Sequence, residues 1–82
     1  MSILVTGGAG FIGGNFIRWM RNNAPEERIV NVDALTYAGN LESLSDIPQS
    51  DRYCFVRADI RDRAKMDEVF RDHAITHVVN FA

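Results

Sequence analysis

An apolar run, Leu4-Val5-Thr6, meets three glycines spaced three apart, Gly7, Gly10 and Gly13, and passes at once into a helical pattern. Few folds accept a strand that turns directly into a helix through such a spacing, because the backbone must come close both to a sheet and to whatever sits over the turn. Gly7 is expected to make the turn, Gly10 to permit close approach of a ligand, and Gly13 to let the first helix lie tightly on the sheet. A helix opening near Gly10 or Phe11 directs unpaired N–H groups, and the positive end of its dipole, at an anion. Where a triphosphate-binding loop carries Lys-Ser or Lys-Thr, this chain has Ile12-Gly13-Gly14, so the motif suits the pyrophosphate of a dinucleotide. A glycine triplet alone equally describes a turn before a glycine-rich helix, and the flanking elements must decide.

Ser2 to Thr6 is nearly continuous in apolar residues and bounded by glycine, as a strand buried on both faces is. From Phe11 to Asn23, Ile12, Phe16, Trp19 and Met20 recur at helical intervals, with Arg18, Arg21 and Asn22 opposite. Pro25 ends that helix. Arg28 to Asp33 reads as a second strand, and Asp33 stands twenty positions after Gly13 (33 − 13). An acidic group there accepts hydrogen bonds from ribose hydroxyls and repels a 2′-phosphate, so the expected cofactor is NAD rather than NADP.

A long connection follows, Ala34 to Asp51, in which Leu41, Leu44 and Ile47 predict a short helix over about 41–45. Thr36 and Tyr37 in it suit either adenosine contact or a surface turn. Arg52 to Arg57 is the third strand and delivers Asp59 to the same sheet edge as Asp33. Asp59 is placed to accept from an adenine amino group beside Ile60, a turn residue being the other reading; Asp62 caps the next helix, Arg63 to Asp72. His73 and His77 have no partner at catalytic or metal-binding spacing and are expected to take ordinary helix-end and strand-start roles. The run from His77 to Ala82 begins a fourth strand. The alternation predicts an α/β fold, the first half of a Rossmann-type doubly wound parallel sheet with strand order 3-2-1-4, and residues 1–82 form the amino-terminal part of one dinucleotide-binding domain with no second domain.

Nine Lys plus Arg against eleven Asp plus Glu leave no basic field for nucleic acid. No run approaches the roughly 20 apolar residues of a membrane span. The lone Cys54 argues against a disulfide framework or metal site and fits a reducing cytoplasm. At this length about 60–65 % of the unfolded surface is buried, which makes the segment marginal without a partner or further chain.

The motif Thr6-Gly7-x-x-Gly10-x-x-Gly13, the stretch Asp33-Ala34-Leu35-Thr36-Tyr37-Ala38-Gly39-Asn40-Leu41, the run Ala58-Asp59-Ile60-Arg61-Asp62 and the ending Val79-Asn80-Phe81-Ala82 together resemble the amino-terminal quarter of the dTDP-glucose 4,6-dehydratases, an extended short-chain dehydrogenase/reductase family. The resemblance implies Phe11 and Ile12 beside the pyrophosphate, Asp33, Ala34, Leu35 and Thr36 around the adenosine ribose, Asp59 and Ile60 at adenine, and Phe81 and Ala82 along the cofactor towards the nicotinamide. It also implies that the catalytic Tyr-x-x-x-Lys pair and the sugar-nucleotide domain lie beyond Ala82: neither Tyr37 nor Tyr53 has a lysine four residues later. The chain is then a non-catalytic, NAD-binding segment of a lyase that converts dTDP-glucose to its 4-keto-6-deoxy sugar, with a nucleotide sugar and a homodimer belonging to the full-length context. A related epimerase or dehydratase, and a non-catalytic nucleotide-binding or interaction module that pairs its strand at Val78 to Phe81 with another chain, are the alternatives.

Overall fold

The computed structural model describes residues 1–35 and 46–82. They form β1 (Ser2–Thr6), α1 (Phe11–Asn23), β2 (Arg28–Asp33), β3 (Tyr53–Arg57), α2 (Arg63–His73) and β4 (His77–Asn80). The expected helix over 41–45 and the candidate ribose contact Thr36 lie outside the described residues. The strands make one sheet in the order β3-β2-β1-β4, and every pairing is parallel, as the glycine turn and the alternation of elements predict.

β1 is central and buried along its whole length. Its side chains alternate between two cores because successive residues of a strand face opposite ways. Ile3 and Val5 join Ile17 and Met20 of α1 with Ile29 and Tyr53 on one face. Leu4 joins Val30, Val32 and Val69 of α2 on the other. The two helices thus cover opposite faces of the sheet.

Of the inward face expected for α1, Met20 and Phe16 pack on the core, and Ile12 and Trp19 do not. Gly13, Gly14, Ile17 and Met20 are buried, whereas Ile12 is 68 % and Trp19 60 % exposed. The glycines explain the rotation. A Cβ on Gly13 would stand 2.5 Å from the Gly7 carbonyl oxygen and 2.9 Å from the Gly8 Cα, so the helix approaches the turn along its bare side, and Ile17, one turn on, follows that side into the core. Side-chain hydrophobicity alone points at Trp19; backbone proximity selects Ile17.

α2 starts at Asp62, whose side chain accepts from the Lys65 N–H, the cap expected of it. It ends at Ala74 in the left-handed region, φ 50°. His73 closes the helix and His77 opens β4, with His77 Nδ1 2.8 Å from the Thr76 hydroxyl.

Candidate functional site

Because all four strands run the same way, their carboxyl ends share one edge. In register, Thr6 of β1 lies beside Val32 of β2 and Asn80 of β4, and Asp33 beside Arg57 of β3. The chain moves outward from β1 to β3 and then crosses to β4 on the far side, so the strand order reverses at this edge next to β1, where open α/β sheets leave a crevice.

The glycine turn is built against the end of β2, one residue at a time. The Gly7 N–H donates to the Val32 carbonyl at 2.9 Å. Gly8 lies against Asn31 so closely that a Cβ on it would fall 2.2 Å from Asn31 Oδ1 and 2.5 Å from Ile17 Cδ1. The Ala9 N–H donates to Asp33 Oδ2 at 2.9 Å. Asp33 is buried, and its other oxygen, Oδ1, accepts from the Leu35 N–H at 2.8 Å. The carboxylate is therefore fixed by backbone on both sides, and each oxygen keeps a further lone pair.

Gly7 itself has φ 74°, which favours glycine. A Cβ there would also meet the Phe81–Ala82 peptide at 2.7 Å. That peptide is held by the Phe81 N–H donating to the Thr6 carbonyl at 2.8 Å, and by Asn80 Oδ1, which accepts from the Thr6 hydroxyl at 2.5 Å and the Ala82 N–H at 3.0 Å. The Phe81 ring rests on Phe16 with centroids 5.5 Å apart.

These contacts enclose a cleft of about 210 Å³ lined by Gly7, Gly10, Val32, Asp33, Ala34, Ala58, Asp59, Ile60, Phe81 and Ala82. Eight of them were singled out by the sequence: Gly7, Gly10, Asp33, Ala34, Asp59, Ile60, Phe81 and Ala82. Phe11 and Ile12 stand at the start of α1, 85 % and 68 % exposed. Gly13 packs beneath the turn instead of lining the cleft. Leu35 takes a left-handed backbone, φ 55°, and packs its side chain on the α1-side core.

Asp59, which also lines the cleft, is gripped by Arg61, whose guanidinium and backbone N–H hold its carboxyl down at a pKa of about 2. No side chain caps α1, and no acidic residue stands in its first turn, so the N–H groups that open the helix are left to an incoming anion, with the Asp33 carboxylate engaged beside them by the Ala9 N–H. Gly10 caps that helix, and a Cβ on it would meet only the Gly7 carbonyl oxygen, at an ordinary 3.5 Å. The fold has a use of its own for the bareness of Gly7, Gly8 and Gly13; at Gly10 the bareness leaves room that the chain does not fill. A pyrophosphate fits these residues.

A larger cleft of about 340 Å³ lies between α1 and residues 46–50, lined by Arg18, Arg21, Asp46 and their neighbours. Its guanidiniums are engaged, Arg18 with Asp46 at 2.9 Å and Arg21 with the carbonyls of Pro25, Glu27 and Arg52, so it suits an anion poorly. Among the described residues no cluster of side chains suits a metal ion, and no helix is long and apolar enough to cross a membrane.

Sequence reasoning missed Gly8, Asn31 and Asn80. A signal for Asn31 exists: it is a polar residue in the middle of an otherwise apolar strand, and such a residue must be fastened to something. Its Nδ2 donates to the Tyr53 hydroxyl at 3.2 Å, and burial raises the Tyr53 pKa.

Residues 4–82 match the family model described as GDP-mannose 4,6 dehydratase. The whole chain is 52 % identical to 22 % of the dTDP-glucose 4,6-dehydratase of Shigella flexneri. It superposes on 26 % of the dTDP-glucose 4,6-dehydratase of Bacillus anthracis in complex with NAD, with a TM-score of 0.94 and 43 % identity over the full chain. Over its full length it also superposes on 26 % of a dTDP-glucose 4,6-dehydratase of Streptomyces venezuelae crystallised with NAD, with a TM-score of 0.85 and 38 % identity. The chain thus spans about a quarter of the length of these relatives or less.

Proposed function

Since this chain belongs to the GDP-mannose 4,6 dehydratase family, we propose that it is the NAD-binding amino-terminal segment of a dTDP-glucose 4,6-dehydratase. The observation that carries this reading is the cleft at the carboxyl edge of the sheet, where the turn, Asp33, Asp59 and the Phe81–Ala82 peptide converge.

In it, the start of α1 receives the pyrophosphate over Gly10, and the backbone at Phe11 and Ile12 supplies donors. Asp33, already fixed by Ala9 and Leu35, presents its remaining lone pairs to the adenosine ribose. Ala34 lies beside that ribose, and Leu35 supports it by holding the carboxylate. A buried carboxylate at this point repels a 2′-phosphate, which selects NAD. Asp59 and Ile60 take the adenine end, and Phe81 and Ala82 lie along the cofactor towards its nicotinamide. NAD supplies the hydride acceptor, and later the hydride donor, for oxidation at C4 of the sugar, loss of water across C5 and C6, and reduction at C6. Among the described residues of this segment the roles are binding and orientation; the proton-transfer groups and the sugar-nucleotide site belong to the rest of the enzyme. In its full-length form the protein is read as a homodimer of the reducing cytoplasm.

Isothermal titration of the nucleotide-free full-length protein tests the cofactor. NAD is expected to bind at least about tenfold more tightly than NADP, because Asp33 must otherwise sit against a phosphate. Tighter binding of NADP contradicts the role given to Asp33. Turnover of dTDP-glucose in preference to GDP-mannose and UDP-glucose tests the substrate.

A further inference from the structure

We infer that Arg61 sets the affinity for the adenine end of the cofactor by competing with the base for Asp59. This rests on the reading of Asp59 as the adenine acceptor and adds a residue to it.

The geometry is one of acceptor saturation. A carboxylate offers about four lone-pair positions. At Asp59, Oδ1 accepts from the Arg61 backbone N–H at 2.8 Å and from Nε at 3.1 Å, and Oδ2 accepts from Nε at 3.1 Å and from Nη2 at 2.7 Å. All of these contacts come from one residue two positions away. An exocyclic amino group arriving from the cleft is a further donor to a carboxylate each of whose oxygens already takes two contacts, the single Nε–H being shared between them, so one contact must open.

The two kinds of contact yield unequally. The backbone N–H belongs to a turn that the Asp62 N–H fastens to the Asp59 carbonyl at 2.9 Å, immediately before the Asp62 cap of α2. The guanidinium is on a long stem with 88 % of its side chain exposed, while Asp59 is 37 % exposed and faces the cleft. Exposed pairs of this kind are weak. Arg61 therefore swings out as the base enters, and its departure is a small, fixed deduction from cofactor affinity. The backbone N–H stays and keeps Asp59 aimed.

A double-mutant cycle tests this on the nucleotide-free full-length protein, with NAD affinity measured by titration calorimetry for the parent, Arg61→Ala, Asp59→Ala and the double variant. Arg61→Ala is expected to tighten NAD by about two- to fivefold, Asp59→Ala to weaken it, and Arg61→Ala to have no effect once Asp59 is gone. Arg61→Gln, which keeps bulk without charge, is expected to behave as Arg61→Ala does. If Asp59→Ala weakens binding but Arg61→Ala leaves it unchanged or weaker, competition is overturned while the adenine role of Asp59 stands. If Asp59→Ala leaves binding unchanged, the adenine role itself fails and takes the competition with it.

Discussion

Five glycines lie in or against the first turn, and they are held there for different reasons. A methyl group on Gly8 collides with Asn31 and Ile17 inside the core, so Gly8→Ala is expected to destabilise the protein by about 1–3 kcal/mol or more in a denaturant titration. Gly10→Ala meets no such obstacle. It is expected to change stability by less than about 1 kcal/mol while lowering NAD affinity by about tenfold or more in calorimetry, and equal affinity would deny that a ligand approaches there. At Asp59 the expectation is spectroscopic. Because its folded pKa lies at about 2 against an ordinary 3.8, the favourable Arg61 contact is complete above about pH 4 and is lost as the pH falls through the folded value. The Asp59 carboxyl resonance followed by NMR should titrate near 2 in the parent and return towards 3.8 in Arg61→Ala.

At the scale of elements, α1 carries the clearest test of packing. Ile17 is fully buried and Trp19 largely exposed. Ile17→Ala is therefore expected to cost about 2–5 kcal/mol, and Trp19→Gln to lie within about 0.5 kcal/mol of the parent; the reverse order would restore the face that periodicity suggests. α2 ends on Ala74 at φ 50°, a conformation that costs an L-residue about 1–2 kcal/mol, so Ala74→Gly is expected to raise the unfolding midpoint. The positions of α1 and α2 and the Asp62 cap were legible in the sequence because each rests on a local rule, glycine at a turn, a proline stop, a capping carboxylate; the strand order followed from the handedness of parallel crossovers. The inward face of α1 was legible in part: Met20 and Phe16 follow the expected periodicity and the glycine spacing points to the close packing of Gly13, but Ile17 in place of Trp19 depends on Gly13 and Gly14 meeting Gly7 and Gly8, which no hydrophobic pattern records. The cleft was largely legible because its residues follow the ends of strands. What the sequence could not disclose is that Asp33 is shared between the turn and the cleft, or that Asp59 is already occupied by its neighbour two positions on.

Among the described residues, one parallel sheet with α1 and α2 on opposite faces brings four strand ends to a single edge, and the candidate site is a consequence of that topology. β2 sits between β1 and β3, and its last residues shape the turn that follows β1, so the proposed binding and the folding share the same contacts. The most direct test is a crystal structure of the full-length protein with NAD. The pyrophosphate is expected over the first turn of α1, within hydrogen-bonding distance of the backbone at Phe11 or Ile12, with the adenosine ribose on Asp33. A nucleotide bound instead in the cleft of Arg18, Arg21 and Asp46, with the edge beside Gly10 left to solvent, would contradict it.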